Sequence, residues 1–96
     1  MKLIRDMIEY PKEGILSKVL IEEKLDVTLF CMAAGSSIGE HTSTKQGTVQ
    51  VLEGKGFFSL EGKDIEMSPG VLIYMKENAV HSLRAEENTA FLLTLV

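Results

Sequence analysis

Short apolar runs, separated by glycines and polar turns, divide the chain into predicted β-strands. Residues 25–33 alternate in polarity and place Val27, Leu29 and Cys31 on one face of a strand. The final run, residues 89–96, is apolar almost throughout, which is typical of an interior strand covered on both faces. Further strands are predicted at residues 48–52, 57–60, 65–67, 71–75 and 80–85.

Residues 14–23 fit a helix and a strand about equally well, and we favour a strand with Ile15, Val19 and Ile21 on one face. No other segment spaces its apolar residues as a helix requires. Glu61 and Gly62 begin a predicted tight hairpin turn, and glycines 54 and 70 are predicted to occupy turns with positive φ. Short strands with glycine-rich turns predict an antiparallel sandwich or small barrel.

Composition narrows the class of protein. The 96 residues suffice for one domain, and 45% hydrophobic with 25% charged residues is the balance of a globular chain. A net charge of −4 without a Lys/Arg cluster argues against nucleic-acid binding. No apolar run approaches the ~20 residues of a membrane helix, and residues 1–6 lack the continuous apolar stretch of a secretory signal. The lone Cys31 cannot form a disulfide within the chain, so we expect a cytoplasmic protein in which Cys31 is a small buried side chain.

The N-terminal part of the chain has its own apolar residues. We expect residues 1–24 to form an arm with the first strands, packing on the barrel or on a dimer partner, and residues 25–96 to form the barrel. A domain of this size buries only about 60–65% of its unfolded surface, so pairing would add stability. A homodimer is therefore predicted, through an outer sheet face or through the arm residues Leu3, Ile4, Met7, Ile8 and Tyr10.

The chain has two histidines, His41 and His81, at the edges of strand-like segments. His41 follows Gly35 after a spacer of five residues, and Gly54 comes next along the chain. Further on, Gly70 precedes His81. In this order the sequence resembles the cupin family over residues 25–96. The family's motifs read G-x5-H-x-H-x3,4-E-x6-G and G-x5-P-x-G-x2-H-x3-N. The phrases Val51-Leu52-Glu53-Gly54-Lys55-Gly56 and Pro69-Gly70-Val71-Leu72-Ile73 are similar to its turn and strand sequences.

The resemblance implies an all-β jelly-roll barrel with a pocket at one mouth. In metal-binding cupins, three His and one Glu of these motifs hold a divalent ion. In this sequence the second His is Ser43 and the Glu is Gly47, so His41 and His81 are the two ligands that remain. They would hold an iron, manganese, nickel, zinc or copper ion weakly. Gln46 and Glu40 are the candidates to replace the missing carboxylate ligand. Gln46 lies one place before the position of that carboxylate, whereas Glu40, next to His41, would face the opposite side of a strand.

A metal-free pocket is the other interpretation, with His41, Ser43 and His81 as polar groups among apolar walls. Strand alternation adds Leu83 beside His81, and Val49 and Val51 on the next strand. The predicted ligand-pocket residues are His41, Ser43, Gln46, Val49, Val51, His81 and Leu83. Candidates for the remaining wall or the dimer face are Phe30, Met32, Met67, Tyr74 and Met75.

Three functions are consistent with these features. The first is a module that binds a small molecule, as a sensor or an accessory subunit. The second is a metal-dependent dioxygenase, isomerase or decarboxylase acting on a small organic acid or sugar derivative. The third is a dimeric adaptor with an inert pocket. The lost ligand positions Ser43 and Gly47 favour the first, the retained histidines favour the second, and no catalytic residue is assigned.

Overall fold

The computed structural model describes residues 3–96, so Met1 and Lys2 of the predicted N-terminal arm lie outside the described residues. Within that range the chain forms a 3-10 helix (Ile4–Met7) and nine strands. The strands are β1 (Ile15–Glu22), β2 (Asp26–Met32), β3 (Ser37–His41), β4 (Gly47–Glu53), β5 (Gly56–Leu60), β6 (Lys63–Met67), β7 (Leu72–Met75), β8 (His81–Ala85) and β9 (Thr89–Leu95).

Two antiparallel sheets form the barrel, as predicted. One sheet has the strand order β1-β2-β9-β4-β7, and the other has the order β3-β8-β5-β6. The central position of β9 explains its nearly continuous apolar sequence, because residues on both of its faces are covered. Phe91 belongs to the apolar layer between the sheets, whereas Ala90 and Leu92 lie on the other face of the same strand.

Local sequence determines the turns well. The β5–β6 hairpin closes through Glu61 and Gly62, whose φ angles of 51° and 81° are those of a type I′ turn. Gly54 and Gly70 have φ angles of 105° and 92°, which confirms the two predicted turns. The ambiguous segment at residues 14–23 is a strand, β1.

Two elements were not predicted from the sequence. The 3-10 helix is one turn long, too short to give an apolar repeat. β3 contains Gly39 and an irregular register against β8, so its five residues lack the alternation by which the other strands were recognised. Among residues 3–96, this 3-10 helix is the sole helical element, and no helix has the length and apolar character to span a membrane.

The five-stranded sheet buries apolar residues on both faces. The inner cluster lies between the two sheets and contains Met32, Val49, Val51, Phe58, Met67, Ile73, Met75, Leu83, Ala85 and Phe91. The outer cluster lies on the opposite face and contains Leu29, Cys31, Ala90 and Leu92. Cys31 is fully buried there, as predicted.

The N-terminal segment covers the outer cluster. Ile4, Met7, Ile8 and Tyr10 are partly buried against it. The Tyr10 hydroxyl donates a hydrogen bond to a Glu53 carboxylate oxygen at 2.7 Å, and Lys18 Nζ donates one to the Met7 carbonyl at 2.9 Å. Burial, together with the Glu53 carboxylate, raises the pKa of the Tyr10 phenol. These arm side chains therefore pack against their own chain, and the homodimer stays a prediction.

Candidate functional site

A cavity of about 130 Å³ opens between the two sheets, beside the inner cluster. Both histidines of the chain contribute to its wall, and every other lining residue among those described is apolar. The lining consists of Phe30, Ile38, His41, Val49, Phe58, Met75, His81, Leu83, Phe91 and Leu93. A largely apolar cavity with a few polar atoms is the usual form of a small-molecule site.

His81 is the inner of the two imidazoles. It is the first residue of β8 and is only 6% exposed. Its ring stacks on Phe58 with 5.7 Å between the ring centroids and 4° between the planes. Its Nδ1 lies 3.0 Å from the Ala79 carbonyl oxygen. Phe58 and this carbonyl thus fix both the plane and the rotation of the ring.

His41 is the outer imidazole and ends β3, where its side chain is exposed. The centroids of the His41 and His81 rings are 3.9 Å apart, and the planes meet at 60°. Nδ1 of His41 lies 2.9 Å from the Gly39 carbonyl oxygen. Two residues that are forty positions apart in sequence therefore form one imidazole pair at the cavity.

A β-bulge directs His41 toward the cavity. Between Ile38 and His41, β3 advances three residues, whereas its partner β8 advances two, from Leu83 to His81. In a regular strand Ile38 and His41 would face opposite sides. The extra residue lets both line the cavity. Glu40, as predicted, does not line it; it borders a groove on the outside of the four-stranded sheet instead.

The hydrogen bonds assign the same tautomer to both rings. A carbonyl oxygen can only accept, so Nδ1 of His41 and of His81 must carry the hydrogen. In the neutral rings each Nε2 then has a free lone pair. Among residues 3–96 no hydrogen bond reaches either Nε2, and no buried side-chain nitrogen or oxygen is without a partner. Nε2 of the buried His81 is therefore accessible, and the cavity is the space that this ring lines.

Burial also determines the charge of His81. Desolvation lowers the pKa of His81, and the nearby His41 lowers it further, although the hydrogen bond to Ala79 acts in the opposite direction. His81 is consequently neutral at pH 7. A neutral imidazole with Nδ1 protonated is a hydrogen-bond acceptor at Nε2.

The structure brings together four of the seven predicted pocket residues: His41, Val49, His81 and Leu83 line the cavity. Val51 is buried in the inner cluster but lies outside the lining. Sequence analysis did not select Ile38, Phe58, Phe91 and Leu93, because apolar content alone does not tell which face of a strand meets a cavity. Phe30 and Met75 were among the candidates for the remaining wall, and both line the cavity.

Ser43 and Gln46 do not line the cavity, contrary to the prediction. β3 ends at His41, so the alternation that would turn Ser43 inward stops before reaching it. The Ser43 hydroxyl instead accepts a hydrogen bond from the Lys45 backbone N–H at 3.2 Å. Gln46 is exposed, and its Oε1 accepts a hydrogen bond from the Tyr74 hydroxyl at 2.9 Å.

The four-ligand metal site of the motif does not fit the described residues. Gly47 occupies the position of the motif's carboxylate, and a Cβ there would collide with the Thr94 carbonyl oxygen and come within 2.7 Å of Leu95 Cδ2. Ser43, at the position of the second His, points elsewhere. Among residues 3–96 no group of three or more His, Cys, Asp and Glu side chains could hold a metal. Two imidazoles remain as the nitrogen ligands that the cavity offers.

The family model for the cupin domain matches residues 28–96, which is most of the chain. The chain belongs to the cupin family. This agrees with the two facing antiparallel sheets and with the motif residues on β3, β4 and β8. A search of curated proteins finds no match.

Solved structures show the same fold. A conserved protein of unknown function from Streptococcus pyogenes is 25% identical, with a TM-score of 0.91 over 100% of this chain and 85% of that one. A cupin 2 conserved barrel domain protein from Leptotrichia buccalis is 31% identical, with a TM-score of 0.90 over 96% of this chain and 45% of that one. A cupin superfamily protein from Desulfitobacterium hafniense is 18% identical, with a TM-score of 0.89 over 95% and 84%.

Proposed function

We propose that this cupin is a small-molecule-binding module, of the sensor or accessory type, whose ligand occupies the cavity between the sheets without needing a metal. The observation that carries the proposal is the lining itself. Eight apolar side chains surround two imidazoles whose orientations are held by backbone carbonyls. Apolar walls with a few fixed polar atoms provide both affinity and orientation for a small ligand.

The size of the cavity limits the size of the ligand. A cavity of roughly 150 Å³ in another protein admits benzene, and this one measures about 130 Å³. The buried part of the ligand is therefore about as large as one six-membered ring. A larger ligand would extend past the exposed His41 toward solvent.

A thermal stabilisation screen of metal-free protein against ring-sized compounds tests the proposal. A ligand that binds only the folded state raises stability, by about 1.4 kcal/mol at ten times its dissociation constant. We expect at least one compound to stabilise the parent and to fail with Val49→Phe, which fills the cavity. Ile38→Phe, on the half-buried wall of the edge strand β3, is a second filled variant in case the first does not fold.

The control for the filled variants is Leu72→Phe, because Leu72 is 66% exposed and lies outside the cavity lining. It should respond to the compounds as the parent does. If the filled variants and the parent are stabilised equally, the cavity is not the binding site. If no compound in the set stabilises the metal-free parent, the binding proposal is wrong.

Elemental analysis separates binding from metal-dependent catalysis. The protein is purified without chelator and then incubated with iron, nickel, zinc, manganese and copper, in parallel with His41→Ala. Near-stoichiometric metal in the parent that is lost in the variant would overturn the metal-free proposal. It would favour the alternative, a metal-dependent dioxygenase, isomerase or decarboxylase of a small organic acid or sugar derivative. We expect little metal in either protein, because two imidazoles are half of the ligand set that the motif provides.

A further inference from the structure

The charge and hydrogen-bonding capacity of the cavity restrict the class of ligand. We propose that the ligand is a neutral, ring-sized molecule that donates a hydrogen bond to the imidazole pair, as a phenol does, and that the cavity rejects carboxylates of the same size. This inference rests on the proposed binding function and adds the chemical class of the ligand.

The polar atoms of the cavity point to a donor on the ligand. Nδ1 of each histidine donates to a backbone carbonyl, of Gly39 and of Ala79 respectively, so each neutral ring offers a lone pair at Nε2. The remaining lining residues have no hydrogen-bonding side chains apart from the weakly accepting sulfur of Met75. A ligand with a hydroxyl or N–H group would satisfy Nε2, whereas a ligand with acceptors alone would leave it unpaired. An unpaired buried acceptor weakens binding.

The absence of lysine and arginine from the described lining argues against anionic ligands. Two basic side chains have partners outside the cavity: Lys45 Nζ lies 2.7 Å from an Asp26 carboxylate oxygen, and the Arg84 guanidinium lies over the Phe57 ring on the outer side of the four-stranded sheet. A carboxylate that entered the cavity would lose its hydration without meeting a fixed positive charge. That loss is costly.

The aromatic wall favours a flat ring. Phe30 and Phe91 lie side by side on neighbouring strands, with 5.1 Å between their centroids and 7° between their planes. Phe58 also lines the cavity, and its ring stacks on that of His81. Aromatic rings gain additional stabilisation from offset or edge-to-face contacts with such a wall. A phenol can place its ring against these side chains and its hydroxyl toward Nε2.

Three probes of similar size separate the contributions: phenol has a ring and a donor, toluene has a ring alone, and benzoate has a ring with a negative charge. We expect phenol to bind about fivefold more tightly than toluene, as one net hydrogen bond allows, and benzoate to bind more weakly than toluene. Affinities are measured by calorimetry or thermal stabilisation at pH 7. Equal binding of phenol and toluene, or tighter binding of benzoate, would overturn the proposal.

Two variants assign the preference to the imidazoles. His81→Phe keeps a ring beside Phe58 but removes the acceptor, so phenol and toluene should bind alike. If that variant does not fold, His81→Leu removes the same acceptor and provides the same comparison. Ser82→Ala, on β8 beside His81 but outside the cavity lining, is the matched control and should keep the parent's preference.

Nitrogen NMR of the histidine rings reports the contact directly. His81 should show a protonated Nδ1 and an unprotonated Nε2 without ligand, and phenol should shift its Nε2 resonance while leaving its Nδ1 protonated. An Nε2 resonance that does not respond to saturating phenol would contradict the predicted hydrogen bond. A different result would overturn the proposed binding function itself: no ring-sized compound would stabilise either the parent or Ser82→Ala.

Discussion

The inner and outer clusters share the five-stranded sheet but are closed in different ways. The inner cluster meets a second sheet, and between the two layers a cavity of about 130 Å³ remains beside the histidines. The outer cluster meets a segment of its own chain, and its members Leu29, Cys31 and Ala90 are entirely inaccessible. Side chains of an irregular segment adjust individually to one sheet face, whereas two regular sheets meet at a spacing of about 10 Å.

The difference separates two tasks on opposite faces of one sheet. The outer face contributes stability through buried apolar side chains and through the N-terminal segment that covers them, which Tyr10 and Lys18 hold in place. The inner face contributes stability and also leaves room for a ligand. Substitutions on the outer face should therefore change stability alone, and substitutions around the cavity should change binding as well.

The largest expected effect is that of Leu29→Ala in the outer cluster. Leu29 is fully buried on β2, so its truncation should lower the free energy of unfolding by about 3 kcal/mol. Phenol affinity should be unchanged under folding conditions. Urea unfolding measures the change, and Leu72→Ala, at an exposed position, should stay within about 0.5 kcal/mol of the parent. A loss below about 1 kcal/mol would mean that the outer cluster is loosely packed.

Added volume should distinguish the two clusters. Ala90→Val places two more carbons in the closed outer cluster and should cost about 2 kcal/mol by overpacking. Val49→Ile adds one carbon at the cavity wall and should change stability by less than about 1 kcal/mol, while weakening phenol binding. Both are measured by urea unfolding and calorimetry. If Ala90→Val were tolerated as well as Val49→Ile, the contrast between the clusters would not hold.

Acid should lower the stability of the fold through His81, which lines the cavity from β8. The pKa of His81 is lowered in the folded state, chiefly by burial, so the unfolded chain takes up a proton first as pH falls below about 6.5. Stability should then decrease, by at most about 1.4 kcal/mol per pH unit for this one proton. The only other titratable side chain in the described cavity lining is His41.

Urea unfolding of the parent and of His81→Gln, compared between about pH 7.5 and pH 5, isolates this contribution. The parent should lose more stability toward acid than the variant, because carboxylates elsewhere affect both proteins equally. Parallel curves would show that His81 does not couple folding to pH.

The smallest expected change in the free energy of unfolding is that of Tyr10→Phe, in the N-terminal segment that covers the outer cluster. It removes the hydroxyl that donates to Glu53 but keeps the ring on the outer cluster, so the loss should be about 0.5–1 kcal/mol. Tyr74→Phe is the matched control, since its bond to Gln46 joins two exposed side chains and should contribute less. Equal losses in urea unfolding would mean that the Tyr10 bond does not hold the cover.

Local patterns predicted most of the fold. The nearly continuous apolar sequence of β9 predicted an interior strand, and Glu61-Gly62 predicted a hairpin, because both depend on residues adjacent in sequence. β3 was missed because its backbone is irregular. The N-terminal cover could not be assigned to the barrel or to a partner from composition, since its apolar side chains fit either.

The site was predicted less completely. The resemblance brought His41 and His81 together, and alternation within β4 and β8 correctly placed Val49 and Leu83. The same rule failed at Ser43, which follows the end of its strand. The direction of His41 itself depends on the register between β3 and β8, which no local pattern reveals.

The bulge in β3 has a consequence for comparing this chain with its relatives. A protein with one residue fewer between the equivalents of Ile38 and His41 would pair regularly with β8 and would still turn its imidazole toward the cavity. A protein with two fewer would turn it outward. A single-residue gap in an alignment at this point therefore keeps the imidazole in the cavity and changes only the rim. The number of residues between the equivalents of Ile38 and His41, taken alone, does not tell whether the pocket is kept.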